Sequence, residues 1–486
     1  MAGTMRLKEI VRQSSCCSYG GAADPEITQV STDSRNVREG TLFIAVEGYR
    51  ESGKNYIKDA CERGARAIVV ESRPGSMARL ERNISVCYTE NARRAVLLIS
   101  RIFFGQSAKD LTIIGVTGTN GKTTVTYLIE AVLKAYGKTP GVIGTVSYRY
   151  DDIVQKANNT TPDPVVIQSL LSEMHEAGTS HCIIEVSSHA LSMERVFPPD
   201  FDLAVFTNLS QDHLDFHGTM EAYFDAKARL FRGLSDKADA VINIDDEYGQ
   251  RITRMVQGKI VTYGMGTGAQ FRGEVKRLSI EGSVLDINGH TFTTNLIGFH
   301  NLYNILASYA VAKRLGIDDT TVESTLGSVK RIPGRLERVS EGEDINVFVD
   351  YAHTPDALNK LLDAAHTLRR RRIITVFGCG GDRDRKKRPL MGKIVEEKSD
   401  IAIITSDNPR SEDPLAIIAE IKNGLTKSNH IVIPDRRSAI FRAVAIAEKD
   451  DTVLIAGKGH EDYQILGDRT IHFDDREVAR EALRGR

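Results

Sequence analysis

The stretch GVTGTNGKTT, residues 115–124, decides the fold of the middle of the chain. It ends like the phosphate-binding pattern G-x-x-x-x-G-K-[ST], but that pattern needs a glycine at position 116, where this chain has valine. The glycines stand at positions 115, 118 and 121 instead. The first question is therefore whether this stretch binds a nucleotide.

The sequence on both sides of the stretch predicts a strand, a turn and a helix. DLTIIG (110–115) is a short apolar strand, and apolar residues recur at helical spacing from Lys122 to Tyr136, before Gly137 ends the helix. A helix that begins after such a turn presents backbone N–H groups and its positive dipole end to a phosphate. We therefore expect Lys122 to reach the β- and γ-phosphates of ATP, and Thr123 to bind Mg²⁺. The alternative is an ordinary glycine-rich turn with a surface lysine.

Length and charge limit the class of protein. A chain of 486 residues with 41% hydrophobic residues predicts two to four globular domains. The formal net charge of −1 argues against a general attraction to nucleic acid or to anionic membranes. The N-terminus lacks the apolar core of a signal peptide, and no apolar run reaches the ~18 residues of a membrane span. These features predict a cytoplasmic protein that acts on small molecules.

The six cysteines, at positions 16, 17, 61, 87, 182 and 379, have no spacing typical of a metal site or a disulfide framework. We therefore interpret them as free thiols.

The order of predicted elements divides the chain into three α/β parts. We place them at residues 1–108, 109–335 and 336–486. The first alternates short strands with helical stretches, and the second continues from the glycine-rich turn as a mostly parallel sheet followed by hairpins over residues 271–297. A helix, NLYNILASYAVAKRLG (301–316), then leads to the third part.

The third part contains four predicted strands that each end in a polar loop. The loops are YAHTPD (351–356), CGGDRDRKKR (379–388), DNPRSEDP (407–414) and KGHED (458–462). Ligands bind at the carboxyl ends of strands in open α/β sheets, so these loops predict a second site that faces the first. Two half-sites on two domains imply closure over a substrate and exclusion of water from a reactive intermediate.

Several charged residues are candidates for metal or phosphate binding. Glu185 ends the strand HCIIEV, where its carboxylate can meet Mg²⁺ held by Thr123, or can simply be solvated. The loop NLSQDHLDFHG (208–218) offers two aspartates and two histidines, but no spacing typical of zinc. DRDRKKR (382–388) can clamp anions or form a solvated loop. The run of four arginines from Arg369 is interpreted as the end of a helix, because cations stabilise a helix C-terminus.

These motifs together resemble the Mur ligases of peptidoglycan synthesis. GVTGTNGKTT, EVSSHAL, NLSQDHLDFHG, AKARLF, DYAHTPDAL, GCGGDRDRKKRP, DNPR and GKGHEDYQ occur in the order typical of that family, over nearly the whole chain. The resemblance implies a uridine-nucleotide-binding N-terminal α/β domain, a P-loop ATPase-like central domain and a Rossmann-like C-terminal domain. G-T-N-G-K-T is the phosphate loop of Mur and folylpolyglutamate ligases, so the resemblance accounts for the missing glycine at 116.

The resemblance also assigns substrate contacts. Ser34 is similar to the family's contact with the uridine nucleotide, beside the loop from Gly48 to Gly53. The muramoyl peptide is expected at Thr160, Thr161, Ser187 and Arg195. Met193 stands where relatives often have glutamine, so we leave it out of the site.

For ATP and metal, the resemblance implies a larger set of residues. Lys227 in AKARLF matches a lysine that the family carbamylates with CO₂, which turns a cation into an anionic Mg²⁺ ligand. The family binds two Mg²⁺ ions, and His213 is similar to a residue that ligates the second ion together with the carbamylated lysine. The predicted metal ligands are Thr123, Glu185, His213 and carbamylated Lys227. The predicted ATP contacts are Gly118, Thr119, Asn120, Gly121, Lys122, Thr123, Thr124, Asn304, Arg335, Asp350 and His353. Catalytic roles fall on Lys122, Lys227, His213 and Arg335.

The amino acid to be added is expected to bind to the third part. Arg410 in DNPR can pair bidentately with a carboxylate, and meso-diaminopimelate carries one at its far end where lysine has only an amine. The remaining expected contacts are Arg383, Asp407, Asn408, Pro409, Gly457 and Glu461, of which Glu461 suits the substrate's ammonium group.

The implied reaction is ATP-dependent amide formation through an acyl phosphate. The γ-phosphoryl group of ATP passes to the D-glutamate γ-carboxylate of the UDP-muramoyl dipeptide, and the amine of diaminopimelate then displaces phosphate. We expect these small molecules as partners, no nucleic acid, no membrane insertion and a monomer. Two alternatives remain: a folylpolyglutamate-type ligase, and a nucleotide-binding regulator that hydrolyses ATP without joining anything.

Overall fold

The computed structural model describes residues 3–19, 23–48, 51–71, 84–105, 107–340 and 342–486. Residues 49 and 50, in the predicted uridine-contacting loop, lie outside the described residues. Within the described ranges, no helix is both long enough and apolar enough to cross a membrane. The six cysteines are free thiols, as predicted.

Within the described residues, the N-terminal part has a five-stranded sheet, with helices packed on it, and a separate two-stranded sheet formed by its first and third strands. Its strands are β1 (Met5–Arg6), β2 (Ser18–Tyr19), β3 (Glu26–Ile27), β4 (Gln29–Ser31), β5 (Thr41–Ala45), β6 (Ala65–Glu71) and β7 (Ser85–Thr89). Its helices are α1 (Leu7–Ser14), α2 (Ile57–Glu62) and α3 (Ala92–Phe103). The sheet order is β2-β7-β6-β5-β4, and every pair except the antiparallel β2–β7 is parallel.

The central part is built on one eleven-stranded sheet. Its strands are β8 (Thr112–Thr117), β9 (Pro140–Ile143), β10 (Ser147–Tyr150), β11 (Ile153–Lys156), β12 (His181–Glu185), β13 (Leu203–Phe206), β14 (Asp239–Asn243), β15 (Lys259–Gly264), β16 (Phe271–Ser279), β17 (Gly282–Ile287) and β18 (His290–Thr294). Its helices are α4 (Lys122–Ala135), α5 (Pro164–Glu176), α6 (Ser188–Ser192), α7 (Leu214–His217), α8 (Met220–Arg232), α9 (Glu247–Thr253), α10 (Phe299–Arg314) and α11 (Asp319–Ser328).

The middle of this sheet is parallel, as predicted, and its edges are antiparallel. Strands β9, β12, β8, β13, β14, β15 and β16 pair in parallel, with β10 and β11 added at one edge and β17 and β18 at the other. Helices α4, α10 and α11 cover one face, while α5, α8 and α9 cover the other. Because both faces are buried, the strands read as continuous apolar runs rather than as alternating patterns.

The predicted hairpins at residues 271–297 are present. The turn between β17 and β18 contains Asn288 and Gly289, which both have positive φ, 51° and 91°. Two successive positive φ values are what a tight hairpin turn of this hand requires, and an Asn-Gly pair supplies them.

The C-terminal part has a six-stranded sheet and a separate hairpin. Its strands are β19 (Glu337–Arg338), β20 (Asn346–Asp350), β21 (Ile373–Phe377), β22 (Ile401–Ile404), β23 (His430–Val432), β24 (Thr452–Ala456), β25 (Tyr463–Leu466) and β26 (Arg469–His472). Its helices are α12 (Pro355–Leu368), α13 (Lys387–Lys398), α14 (Pro414–Lys422), α15 (Arg436–Ile446) and α16 (Asp475–Arg484). The sheet order is β19-β20-β24-β21-β22-β23, parallel except for β19.

This order places the four predicted polar loops side by side. Strands β20, β24, β21 and β22 are neighbours and run in the same direction, so their carboxyl ends meet at one edge of the sheet. The arginine run begins one residue after α12 ends at Leu368, in agreement with its interpretation as a helix terminus. The hairpin of β25 and β26 was not predicted from the sequence.

Candidate active site

The glycines of the phosphate loop are required by close approaches of neighbouring residues. Gly118 has φ +148°, and a Cβ atom there would lie 1.9 Å from Thr207 Oγ1. Gly121 has φ +88°, and its Cβ would lie 2.4 Å from Asn304 Oδ1. Val116 lies in β8 and is fully buried, so position 116 belongs to the strand and the loop begins after it. This explains physically why glycine is not needed at that position.

The loop is held by the segment that follows β13. Asn208 Oδ1 accepts a hydrogen bond from Asn120 N at 3.0 Å, and Thr207 Oγ1 donates to Asn120 O at 2.6 Å. The Lys122 ammonium donates to Gly118 O and Thr119 O, both at 2.9 Å. Burial lowers the pKa of Lys122.

Thr123 and Glu185 meet at the carboxyl end of the sheet. Thr123 Oγ1 donates to Glu185 Oε2 at 3.0 Å, and Arg335 Nη2 donates to Thr123 Oγ1 at the same distance. Thr145 also binds this carboxylate, through its backbone N–H (3.0 Å) and its hydroxyl (2.8 Å). Glu185 is therefore fixed by three donors, and Thr124, the other threonine of the motif, is buried.

Lys227 projects from α8 towards the phosphate loop. Its ammonium is fully buried, donates to Gly118 O at 2.8 Å and lies 4.8 Å from the centre of the Tyr223 ring. Burial, with Lys122 nearby, lowers the pKa of Lys227 well below its ordinary value. Burial therefore disfavours the charged form of this lysine.

His213 lies in the same region, at the start of α7. Its Nε2 atom is 3.3 Å from Asp212 Oδ2, and its ring packs edge-on against His189 at 4.7 Å. Burial lowers the pKa of His213 to about 3, so the imidazole is neutral and able to ligate a cation.

The oxygen atoms of Thr123 and Glu185 fit an Mg²⁺ ion shared with a nucleotide better than a metal ion bound only by protein side chains. Within the described residues, no three His, Cys, Asp or Glu side chains are arranged to hold a metal ion. Thr123 and Glu185 nevertheless supply a hydroxyl and a carboxylate side by side. Mg²⁺ in phosphoryl-transfer sites typically takes one or two carboxylates, with the remaining positions filled by substrate phosphates and water. The residues present therefore fit a magnesium ion shared with a nucleotide.

The residues expected to hold the muramoyl peptide form one cluster. Thr161 Oγ1 donates to Glu185 O at 2.7 Å and to Ser187 Oγ at 3.2 Å, while Arg195 Nη1 donates to Thr161 O at 2.9 Å. Thr160 Oγ1 lies 3.1 Å from Thr145 Oγ1.

Ser34 lies in the N-terminal part. Its hydroxyl hydrogen bond to Asp59 lowers the pKa of that carboxyl, and Ser34 itself is buried. Two residues earlier, Thr32 Oγ1 donates to Asp163 Oδ2 at 3.4 Å. The segment that carries Ser34 therefore contacts the central part just after Thr161.

The remaining expected ATP contacts lie at the junction of the central and C-terminal parts. Asp350 accepts the backbone N–H groups of Leu336 (2.6 Å) and Ala352 (2.8 Å), so both of its oxygens have partners. His353 Nδ1 lies 2.7 Å from Tyr351 O. A cavity of about 540 Å³ adjoins this junction, and its lining residues are Asn295, Leu296, Ile297, Asn301, Lys330, Arg331, Arg335, Leu336, Arg338, Ser340 and Gly342.

The loops of the C-terminal sheet surround Arg410. Its φ is +54°, and its Nη1 donates to Gly381 O at 2.8 Å. Its backbone is also held, because Arg410 N donates to Ile465 O at 3.2 Å in the unpredicted hairpin. Among the described residues, Nε and Nη2 of Arg410 have no hydrogen-bond acceptor. One edge of the guanidinium is therefore available for a carboxylate.

Asn408 and Glu461 are linked through a residue that the sequence analysis did not single out. Lys458 is fully buried, and its ammonium lies 3.2 Å from both Asn408 Oδ1 and Glu461 Oε2. Asn408 Nδ2 donates to Glu461 Oε2 at 2.9 Å, and Ile465 N donates to Asn408 Oδ1 at 3.0 Å. The side-chain amide of Asn408 is thus occupied by protein groups, and it orients the Glu461 carboxylate.

Asp407 lies beside this network, next to Gly457 and near the buried Arg436. Gly457 has φ +121°, and a Cβ there would lie 2.6 Å from Asp407 Oδ2. Arg436 is fully buried, pairs with Asp475 at 2.7 Å and donates to Ser406 O and Ala456 O. Arg436 and Asp475 were not predicted from the sequence, since a buried ion pair 39 residues apart leaves no local pattern.

The charged run 382–388 has two roles. Arg383 lines the cleft described next, whereas Arg388 is fully buried and pairs with Glu412 at 2.8 Å and Glu420 at 2.7 Å. The Arg388 guanidinium holds the pKa of Glu412 at about 2. Glu412 also accepts a hydrogen bond from Asp382 N, so this pair anchors the loop.

A cleft of about 880 Å³ between the central and C-terminal parts brings many of these residues together. Predicted site residues that line it are Thr160, His213, His353, Arg383, Asp407, Asn408, Arg410, Gly457 and Glu461. The phosphate-loop residues Gly118 to Thr124 are not among its lining residues, nor are Ser34, Thr161, Glu185, Ser187, Arg195, Lys227, Asn304, Arg335, Asp350 and Pro409. The cleft therefore brings the expected amino-acid contacts together with Thr160 and His213 of the central part, whereas the phosphate loop is not part of its lining.

Comparisons with known proteins match this arrangement. Three family models match consecutive parts of the chain: the Mur ligase family catalytic domain at residues 26–116, the Mur ligase middle domain at 116–312 and the Mur ligase glutamate ligase domain at 334–459.

The chain belongs to the Mur ligase family.

Two relatives with the same name illustrate the similarity. The UDP-N-acetylmuramoyl-L-alanyl-D-glutamate–2,6-diaminopimelate ligase of Solibacter usitatus is 46% identical over 472 residues, which cover 95% of this chain and 94% of that protein. The protein of the same name from Geobacillus kaustophilus is 43% identical, with 96% of each chain covered. A solved structure of a ligase with this name has a TM-score of 0.68 at 34% identity, covering 99% of both chains.

A more distant solved structure shares part of the fold. A folylpolyglutamate synthase of Mycobacterium tuberculosis has a TM-score of 0.59 at 20% identity and covers 74% of this chain. At that identity, the likeness concerns the fold alone.

Proposed function

We propose that this Mur ligase joins meso-2,6-diaminopimelate to the D-glutamate of UDP-N-acetylmuramoyl-L-alanyl-D-glutamate, using ATP, in cytoplasmic peptidoglycan precursor synthesis. The observation that carries the proposal is the cleft itself. It brings an open guanidinium edge and an oriented carboxylate together with Thr160 and His213 of the central part, in a chain that is 40–46% identical to ligases of that name. For the domain boundaries we propose residues 108 and 335, as predicted from the sequence.

ATP is assigned to the phosphate loop and the junction beside it. Lys122 has its ammonium on two loop carbonyls, so it is poised to exchange these acceptors for phosphate oxygens. The 540 Å³ cavity adjoins this loop through Arg335, which contacts Thr123, and it combines apolar walls with basic groups. We assign the nucleoside of ATP to this cavity, with Asn304 and Asp350 fixing its walls.

The first step transfers the γ-phosphoryl group to the D-glutamate γ-carboxylate. Lys122 and Arg335 supply positive charge beside the oxygens of the group in transfer. Thr160, Thr161, Ser187 and Arg195 hold the muramoyl peptide, so the acceptor carboxylate is positioned before the transfer. Ser34 is assigned to the uridine end of that substrate.

Thr123 and Glu185 would hold one Mg²⁺, and His213 with carbamylated Lys227 a second. Mg²⁺ bound there would neutralise charge on the phosphates. The uncharged amine is the form of Lys227 that reacts with CO₂, burial shifts the pKa of Lys227 in favour of that form, and the resulting carbamate is an anion beside Lys122.

The second step forms the amide bond. The amine of diaminopimelate attacks the acyl carbon, a tetrahedral intermediate forms, and inorganic phosphate leaves. Closure of the cleft keeps water from the acyl phosphate. Within the pocket, Arg410 pairs with the distal carboxylate, and Glu461 and Asp407 face the distal ammonium, with Arg383 at the rim. Lysine lacks the distal carboxylate and leaves Arg410 unpaired.

The experiment that tests this function measures phosphate release and product mass. Purified protein is given ATP, Mg²⁺ and the UDP-muramoyl dipeptide, with or without diaminopimelate. Release that depends on both cosubstrates, with a product heavier by one diaminopimelate residue, supports the ligase. Release without either cosubstrate would favour an ATP-hydrolysing regulator, and ligation of glutamate to a folate would favour the folylpolyglutamate-type activity. Sedimentation tests the expected monomer.

A further inference from the structure

The side chain of Asn120 joins the phosphate loop to the C-terminal part. Asn120 Nδ2 donates a hydrogen bond to Asp356 Oδ2 at 2.8 Å. Ser210, in the segment that follows β13, donates its hydroxyl hydrogen to the same oxygen, also at 2.8 Å. Asp356 is 236 positions from Asn120 and 146 from Ser210 along the chain, so both contacts depend on docking of the central and C-terminal parts.

The backbone of Asn120 is held by the central part, so its side chain has a fixed direction. Its N–H donates to Asn208 Oδ1 at 3.0 Å, and its carbonyl oxygen accepts from Thr207 Oγ1 at 2.6 Å and from Asn208 Nδ2 at 3.1 Å. Ser210 is tied to the same loop, because its N–H donates to Thr119 Oγ1 at 3.0 Å. The central part therefore braces one side of the loop and directs the Asn120 amide towards the C-terminal part.

Asp356 is equally constrained on the C-terminal side. It stands in the first turn of α12, directly after Pro355, and Thr354 caps this helix by accepting a hydrogen bond from Ala357 N at 3.2 Å. A carboxylate in the first turn is stabilised by the positive end of the helix dipole. Lys360, one turn later, pairs with Asp356 Oδ2 at 2.8 Å. A single carboxylate oxygen thus accepts from three donors.

The ion pair with Lys360 allows a carboxylate to lie beside a loop suited to phosphate. An uncompensated carboxylate there would oppose binding of an anion, because like charges repel. Lys360 supplies the opposite charge, and the donors of Asn120 and Ser210 are neutral. Asp356 therefore contributes hydrogen bonds to the loop without adding net negative charge.

The position of Asp356 also links two parts of the site assigned to ATP. Asp350 and His353 precede it by six and three positions, in the loop between β20 and α12. This loop is anchored in turn, since His353 O accepts from the ammonium of Lys387 at 3.0 Å. Docking at Asp356 thus fixes the phosphate loop relative to the loop after β20.

We propose that Asp356 is a positioning residue that holds Asn120, and with it the phosphate loop, in the conformation that binds ATP. The inference rests on the proposed function, because that function assigns the phosphates of ATP to this loop. Asp356 acts through Asn120 and Ser210 rather than on the nucleotide. The affinity of the central part for ATP therefore depends on its contact with the C-terminal part.

Three substitutions test this role. Asp356→Ala removes the acceptor, Asp356→Asn keeps a neutral acceptor of the same shape, and Asn120→Ala removes the donor. Asp363, an exposed aspartate of the same helix that pairs with Lys398, provides the matched control as Asp363→Ala. Thermal unfolding of each variant shows whether the fold is kept.

Calorimetry measures the Kd of each variant for a non-hydrolysable ATP analogue in the presence of Mg²⁺. For Asp356→Ala we expect a rise in Kd of about tenfold, the effect of losing a hydrogen bond to a charged group. Asp356→Asn should lie between this variant and the wild type, and Asp363→Ala should change Kd by less than about twofold.

A double-mutant cycle separates positioning of the loop from a general effect on α12. In the Asn120→Ala background, Asp356→Ala should raise Kd by less than about threefold, because only the contact with Ser210 is left to lose. A substitution that merely loosens the helix would raise Kd by the same factor in both backgrounds.

Each outcome decides between the two claims. An unchanged Kd in Asp356→Ala, or an equal rise with and without the Asn120 side chain, would overturn the positioning role. If Asp356→Ala does not fold, the cycle is run with Asp356→Asn; a rise in Kd that disappears in the Asn120→Ala background supports the role, and any other result overturns it. Wild-type protein that does not bind the ATP analogue would instead refute the assignment of ATP to this loop.

Discussion

Replacing Arg410 should remove most of the preference for diaminopimelate. The guanidinium is fixed by Gly381 O at 2.8 Å on its Nη1 side, which leaves its Nε and Nη2 edge for a carboxylate. A hydrogen-bonded charged pair contributes about 1.5–3 kcal/mol. Because 1.4 kcal/mol corresponds to a factor of ten, kcat/KM for diaminopimelate should fall about 10- to 100-fold in Arg410→Ala.

Arg410→Ala should change kcat/KM for L-lysine and the KM for ATP little. L-Lysine has no distal carboxylate to lose, so its kcat/KM should change by less than about threefold, and the KM for ATP should stay the same. Arg410→Lys keeps the charge but loses the planar fork, so we expect an intermediate loss. Arg437→Ala, at an exposed ion pair with Glu481, controls for removal of a positive charge.

The assay is phosphate release at varied diaminopimelate, lysine and ATP. Equal losses in apparent affinity for diaminopimelate and ATP would refute the specificity role of Arg410. A variant that still discriminates between diaminopimelate and lysine as strongly as the wild type does would also refute this role of Arg410.

Four further changes test other parts of the site. Lys122→Ala should abolish ligation, and normal turnover in phosphate-release assays would contradict its role at the phosphates. Gly121→Ala should weaken binding of an ATP analogue at least tenfold. The φ of +88° at position 121 costs an alanine about 1–2 kcal/mol, and the alanine Cβ would lie 2.4 Å from the side-chain oxygen of Asn304. Unchanged affinity in calorimetry would contradict the loop geometry. Glu412 has a pKa of about 2 in the folded chain against 4.5 ordinarily, so its pairing with Arg388 stabilises the fold by about 3 kcal/mol above pH 4.5, and this stabilisation is lost as the pH falls towards 2. The unfolding midpoints of wild type and Glu412→Gln should therefore differ at pH 7 and converge in acid. A difference that stays constant with pH would contradict this role of Glu412. Protein incubated with ¹³C-bicarbonate should show a carbamate carbon signal that Lys227→Ala lacks, and a signal of equal size in both would exclude this lysine as its source.

Local sequence patterns predicted the elements that carry the phosphate loop. The helix expected from Lys122 to Tyr136 runs from Lys122 to Ala135, because Gly121 and Gly137 both adopt positive φ and limit it. The helix expected from Asn301 begins at Phe299 instead, directly after Gly298, whose φ is +92°. Short-range periodicity and glycine positions fix such bounds to within about two residues.

Contacts between distant segments could not be predicted in this way. Lys458 lies in a motif quoted above, yet its burial between Asn408 and Glu461 depends on the loops after β22 and β24, which come together only in the folded sheet. The hairpin of β25 and β26 is only four residues per strand, with an exposed second strand, and so leaves a weak alternating pattern. Its role in holding the Arg410 backbone is a tertiary property.

The family resemblance supplied what residue patterns alone did not. Nothing in AKARLF indicates a functional lysine, whereas the structure places Lys227 fully buried 2.8 Å from Gly118 O. For Ser34 and His353, the structure shows hydrogen bonds within the protein, and their substrate contacts remain predictions.

The most direct test of the central claim is the amino-acid dependence of ligation by the wild-type protein. ATP, Mg²⁺ and the UDP-muramoyl dipeptide are supplied with either meso-diaminopimelate or L-lysine, and phosphate release and product mass are recorded. The account predicts release and a mass gain with diaminopimelate and little with lysine. Equal use of lysine would contradict the assignment of Arg410, and no ligation with either amino acid would contradict the proposed function.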